Sequence, residues 1–246
     1  VKTLRIFISS PGDVVEERDR ARSVVEELRR RYAGRLELLP MLWEDLPLQA
    51  DMSFQQGIDV VLSEEGAIDI AIFILWSRLG SPQNAALRRP NGSPYRSGTE
   101  REFDLMLHAR TRSGGVRPSI LVYAREDDAS FDERLRGLPL PDKEDLIHQR
   151  KLVESFIREE FQDAETKLNV RAYHSFDRPT TFAQRLRIHL QELIDSLAGG
   201  NLSTPVWDIA EKGSPFLGLE AFQFEHAPVF FGREDEIVAC RQLLRE

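Results

Sequence analysis

Three short segments of the chain concentrate the side chains that hold sugars, phosphates and bases. Ser9-Ser10-Pro11-Gly12-Asp13 offers hydroxyls and a carboxylate. Trp76-Ser77-Arg78-Leu79-Gly80-Ser81 offers an aromatic plane, a guanidinium and further hydroxyls. Ser97-Gly98-Thr99-Glu100-Arg101-Glu102 reads as the opening of a helix, whose free N–H groups attract anions. Together these groups suit a sugar-phosphate or nucleotide ligand. Ser9, Ser10 and Asp13 are candidates to hold ribose or phosphate. Trp43 and Trp76 are candidates to stack on a base, Arg78 to pair with pyrophosphate, and Ser77 and Ser97 to add hydroxyl contacts. Each also has a plain structural role. Asp13 with Glu16, Ser97 with Glu100 and Thr99 with Glu102 all have capping-box spacing.

The segments around these groups alternate between strand and helix. Leu4–Ser10 is a short β-rich run, broken by Pro11-Gly12. The helix that follows carries an apolar stripe at positions 21, 24, 25, 28 and 32, with a Glu/Arg-rich opposite face expected mostly in solvent. Leu36–Trp43 reads as a second strand and 44–52 as a loop. A helix is expected at 53–62, and Ile68–Trp76 is an almost continuous apolar run, as in a strand covered on both faces. A polar loop over 78–97 leads into the helix at Ser97 or Thr99, which Ser113-Gly114-Gly115 ends. Ser119–Ala124 reads as a fourth strand and 126–142 as an acidic excursion. A helix follows with Leu146, Val153, Phe156, Ile157 and Phe161, then a strand over Leu168–His174 and a helix over Thr181–Leu197.

This alternation predicts an α/β fold: a flavodoxin-like, doubly wound sheet of five parallel strands, with a short C-terminal extension. With strand order 2-1-3-4-5, the topological switch lies between the first and third strands. The Ser9–Asp13 and Trp76–Ser81 segments then meet outside their carboxyl ends.

Composition narrows the function. The chain has 246 residues, 41% of them apolar, enough for a sizeable core. With 33 Lys and Arg against 41 Asp and Glu, the net charge of −8 disfavours direct binding to nucleic acid or anionic membrane. A single cysteine, Cys240, fits a reducing, cytoplasmic setting, and no run is long enough to span a membrane. Scattered histidines give no metal-ligand spacing. Dinucleotide G-x-G-x-x-G, P-loop and G-x-S-x-G motifs are absent. Residues 198–215 read as a linker. Five of the 14 phenylalanines then fall within Phe216–Phe231, the start of a further unit.

Arg5-Ile6-Phe7-Ile8-Ser9-Ser10-Pro11-Gly12-Asp13 with Glu17-Arg18, Phe73–Gly80 and Ser97–Phe103 together resemble a TIR-like family found at the N-terminus of STAND-type ATPases. The resemblance covers about residues 4–197. Ser214–Phe222 and Phe230-Phe231-Gly232-Arg233-Glu234 resemble the opening of the STAND nucleotide module, whose phosphate-binding loop the chain lacks. The implied organisation is a TIR-like effector domain at 1–197, a linker at 198–215 and the truncated start of a STAND module at 216–246. Family members either scaffold signalling assemblies or cleave NAD+ at the nicotinamide–ribose bond. The cleaving ones use a glutamate that falls here at Glu102, with Glu100 as the alternative; Gly98 stands where a tryptophan is usual.

The resemblance therefore implies an effector domain of a signalling protein, with an antiviral-type defence role. NAD+ is its candidate substrate, with no tightly bound cofactor. ATP serves only the parent module, through which the protein forms homo-oligomers. Two alternatives stand beside this: a non-catalytic module acting by homotypic contact, which Gly98 favours, and another N-glycosidic chemistry on nucleosides or nucleotides.

Overall fold

A computed structural model describes residues 1–42, 68–83, 87–89 and 91–199. The strands are β1 (Lys2–Ser9), β2 (Leu36–Leu42), β3 (Ile70–Leu75), β4 (Ser119–Arg125) and β5 (His174–Phe176). The helices are α1 (Val15–Arg31), α2 (Gly98–Arg112), α3 (Asp128–Arg136), α4 (Leu140–Phe161) and α5 (Pro179–Leu197). All strand pairs are parallel, in the order β2-β1-β3-β4-β5. This is the expected flavodoxin-like, doubly wound α/β arrangement, with β1 and β3 adjacent at its switch point. The expected helix at 53–62, its preceding loop, Trp43, the linker from residue 200 and the tail lie outside the described residues.

Alternation along the strands sorts the core into two layers. Leu4, Ile6, Ile8, Ile70, Ile72 and Ile74 pack with the stripe of α1 and with Phe182, Leu186, Leu190 and Ile194 of α5. Phe7, Ala71, Phe73 and Leu75 point to the other face and meet Phe103 and Met106 of α2 and Val153, Phe156 and Phe161 of α4. All six residues of β3 are buried, as a strand covered on both faces requires.

Several expectations need correction. Two charged residues of α1, Glu17 and Arg20, are buried on or beside its apolar stripe. Asp13 is not the helix cap; Val14 occupies that position without a side-chain bond. The excursion after β4 contains α3, which buries no residue and so shows no apolar stripe. Its signal is the Asp127 cap, whose carboxylate accepts from the Ser130 N–H at 3.0 Å. The last strand is His174–Phe176 rather than 168–174. Leu168 and Val170 are exposed, and only residues 174–176 pair with β4.

An aromatic chain sets the rotation of α2. Phe73 meets Phe103 edge-on at 5.4 Å between ring centroids, and Phe103 meets Phe156 at 5.2 Å and Phe161 at 5.7 Å. One side chain thus joins β3, α2 and α4. Phe103→Ala should cost about 3–5 kcal/mol of unfolding free energy, read from the denaturant midpoint. A loss under 1 kcal/mol would show that α2 is positioned by something else.

Candidate functional site

Adjacent β1 and β3 bring their carboxyl ends to one edge of the sheet, and the amino end of α2 faces them there. A cavity of about 380 Å³ lies between, lined by Ser10 and Gly12 after β1, Arg78 and Gly80 after β3, and Thr99 and Glu102 of α2. Pro11, Ser81, Gln83 and Gly98 complete its wall. The Ser9–Asp13 and Trp76–Ser81 segments therefore meet across a shared crevice, and Glu102 is part of its lining.

Glu102 is buried, 6% exposed, and its Oε2 accepts a 2.6 Å hydrogen bond from the Ser9 hydroxyl at the end of β1. This carboxylate sits in a cavity wall with a fixed orientation. Burying a carboxylate is costly unless donors accompany it, and Ser9 supplies one. Thr99 and Glu102 thus form no capping box. The cap of α2 is Ser97, whose Oγ accepts from the Glu100 N–H at 3.1 Å.

Glu100 has a different environment two residues away. Its carboxylate accepts from Arg89 Nη1 at 2.9 Å, from Arg96 Nη2 at 2.6 Å and from the Arg96 backbone N–H at 2.6 Å. Arg89 also reaches Glu160 at 2.6 Å, and Arg96 reaches Glu159 at 3.0 Å. Glu100 is only 1% exposed and does not line the cavity; its place is in an ion-pair cluster that ties the segment before α2 to α4.

The remaining sequence candidates divide. Ser10 lines the cavity, and its hydroxyl accepts from Arg18 Nε at 2.7 Å. Arg78 lines it too and pairs with Asp145 of α4 at 2.9 Å. Asp13 accepts from both the backbone N–H and the hydroxyl of Ser77, each at 2.8 Å, so it straps the β1 turn to the β3 turn. Ser77 is fully buried in that strap, and Ser97 is fully buried as a cap. Trp76 turns to a different cavity, its ring under the Arg125 guanidinium at 4.3 Å.

No protein-family model, curated protein or solved structure matches this chain.

Sequence reasoning missed the role of Thr99 and Gln83 in the lining, and it missed Glu17. Glu17 is 1% exposed and accepts from Arg125 Nη1 at 2.9 Å. Burial raises its carboxyl above the usual range, and Arg125 offsets part of that. Its signal was present: position 17 falls on the helical stripe of Val14, Ala21 and Val24. Gly80 carries a conformational requirement, with φ of +121° and a position where a Cβ would lie 3.0 Å from Thr99 Oγ1. The adjacent Ser81 carbonyl accepts from the Gly98 N–H at 3.2 Å, so the β3 turn is seated on the first turn of α2. Among the described residues no group of three or more His, Cys, Asp or Glu could hold a metal ion, and no helix is long and apolar enough to cross a membrane.

Two outcomes follow from this geometry. Asp13→Ser, which a helix cap would tolerate, should cost about 1–3 kcal/mol because it cuts the strap to Ser77; a neutral result in thermal unfolding would return Asp13 to a capping role. Asp127 is held down to about 2 by hydrogen bonds from Ser130 and by Arg125, against an ordinary 3.8. The lowered value means its charge stabilises the fold fully above 3.8, and that share is lost as the pH falls towards 2. The stability advantage of the native chain over Asp127→Asn should therefore shrink through that window and not at neutral pH.

Proposed function

We propose that residues 1–197 form a TIR-like effector domain of a STAND-type signalling protein, and that it hydrolyses the nicotinamide–ribose bond of NAD+ when the parent protein assembles. The observation that carries this reading is the Ser9–Glu102 pair beside a cavity at the switch point of the sheet. The glycines and hydroxyls around the cavity suit a dinucleotide's ribose and phosphates. Arg78, in a half-exposed pair with Asp145, is placed to exchange that partner for a pyrophosphate.

In the proposed reaction the N-glycosidic bond breaks and its electron pair leaves with neutral nicotinamide. Positive charge develops on the ribosyl carbon, and the Glu102 carboxylate stabilises it. Water adds to that carbon and loses a proton, giving ADP-ribose. Ser9 is a positioning residue: its hydrogen bond to Oε2 fixes the direction of the carboxylate. Homo-oligomerisation through the STAND module would bring the effector domains together. Gly98, in the cavity wall where the family usually has tryptophan, favours a second reading, a non-catalytic module acting by homotypic contact.

The test is NAD+ consumption by the chain, free and tethered on a multivalent scaffold. Tethering should raise turnover, and Glu102→Gln, which keeps an acceptor for Ser9, should lower it by about a hundredfold or more. Undiminished turnover in Glu102→Gln overturns the assigned role. No NAD+ loss by the tethered chain favours the homotypic module, and loss of nucleosides instead favours another N-glycosidic chemistry.

A further inference from the structure

The two halves of β4 have different neighbours. β5 pairs only with Tyr123, Ala124 and Arg125, so Ser119–Val122 has β3 on one side and, among the described residues, no strand on the other. The Ser119 N–H donates to the Asp69 carbonyl just before β3, and the Glu126 N–H donates to the Phe176 carbonyl of β5. Successive residues of a strand between parallel neighbours turn their N–H and C=O to opposite sides. Ile120 and Val122 therefore turn theirs away from β3. The Ile120 N–H and C=O and the Val122 N–H find no hydrogen-bond partner among the described residues.

A cavity of about 490 Å³ lies along this bare edge. Phe103 and Leu107 of α2 and Phe161 of α4 wall it on one face of the sheet, and Leu193 of α5 walls it on the other. Arg110 and Arg171 also line it, and none of its described lining residues is acidic. A slot beside a strand, flanked by helices on both faces, has the shape that one more strand fills.

The end of α5 decides which segment reaches it. Lys2 Nζ donates to the Leu197 carbonyl at 2.5 Å, so α5 ends at the amino edge of the sheet, where β4 begins. Leu193 already lines the slot, and Gly199 follows it by about 9 Å of helical rise. The chain beyond, outside the described residues, contains Val206-Trp207-Asp208-Ile209-Ala210-Glu211, which joins β-branched and aromatic side chains to two carboxylates. From Gly199 to Val206 the chain spans up to about 23 Å when extended, enough to enter the slot.

We infer that residues 206–211 add to the bare edge of β4 as a short parallel strand. Their backbone pairs with Ile120 and Val122, their apolar side chains meet the two helical walls, and Asp208 and Glu211 answer Arg110 and Arg171. Arg171 changes partner at small cost, because its side chain is 46% exposed in the 3.2 Å pair with Glu160. The tether holds the segment at an effective concentration on the order of mM, so weak contacts suffice. This inference is independent of the NAD+ reading, because the slot shares no lining residue with the Glu102 cavity.

Amide hydrogen exchange in the 246-residue chain, read residue by residue by NMR, is the test. Ile120 and Val122 should be protected, and Trp207→Asp combined with Ile209→Asp should speed their exchange about tenfold or more. Leu121, whose N–H faces β3, should not change, which separates loss of the added strand from loosening of the whole fold. A synthetic peptide of residues 204–211, added to that variant at a concentration on the order of mM, should restore the protection. Arg110→Gln should weaken the rescue. The inference is overturned by Ile120 exchange that is equal in the two chains, by Leu121 accelerating with it, or by a peptide that restores nothing. Protection that rises with protein concentration assigns the edge to a second copy and overturns it too.

Discussion

Two aspartates, Asp69 buried and Asp13 half-buried, hold β1 and β3 side by side, and they bring the two walls of the cavity together. At the amino end of β3, Asp69 Oδ2 accepts from the Arg5 N–H at 2.8 Å, and the Asp69 N–H donates to the Arg5 carbonyl at 2.9 Å. The Asp69 carbonyl accepts from the Ser119 N–H at 2.9 Å, which brings in β4, and Arg117 pairs with its Oδ1. At the carboxyl end Asp13 grips Ser77 by two bonds. Removing either carboxylate is costly, because the backbone and hydroxyl donors it holds would be left unsatisfied. The register between them, Ile6 opposite Ile70 through Ser9 opposite Phe73, is thus pinned at both ends. A slip by one residue would turn Phe73 out of its layer and carry the β3 turn away from Ser10.

That pinned pair needs the third wall, α2, in one rotational setting. Phe103 in the aromatic layer fixes it from below, and Ser97 with the Gly80–Ser81 turn fixes its first residues. Successive helical residues turn by about 100°, so Glu100 and Glu102 project about 200° apart and cannot share a target. With Phe103 in the core, one carboxylate faces β1 and the other faces Arg89 and Arg96. The helix therefore assigns different environments to two glutamates that look interchangeable in the sequence.

Periodicity made the scaffold legible. The near-continuous apolar run of β3, the stripe of α1 and the strand–helix alternation indicated the parallel sheet, and the order assumed for a flavodoxin-like fold then put the two turns together. What stayed hidden was what periodicity does not encode. Asp13 with Glu16 has the spacing of a cap, but the same carboxylate finds two donors on Ser77, across 64 residues of chain. Ser97/Glu100 and Thr99/Glu102 are equal as capping patterns, and only the docking of Phe103 separates them. Glu17 lies on the buried stripe, but its pairing could not be read from it, because its partner Arg125 is 108 residues away. The α3 helix touches the core with Phe131 alone and buries no residue fully, and β5 is three residues long, so neither leaves an apolar pattern to read. Long-range polar pairing is thus where the residue types misled.

The segment Trp76–Ser81 is held with uneven strength, and that unevenness has a consequence. Ser77 is buried and strapped to Asp13, and the Leu79 N–H donates to Gln149 of α4 at 3.1 Å in a buried bond. Gly80 is wedged against Thr99. Arg78 differs: its side chain is 34% exposed, and its partner Asp145 is 53% exposed. An ion pair that open is worth about 1 kcal/mol or less, so its guanidinium reorients at small cost while the backbone beneath it does not. A rigid wall with one readily redirected cation is what a cavity needs if it is to admit an anionic ligand without reorganising the sheet edge that built it.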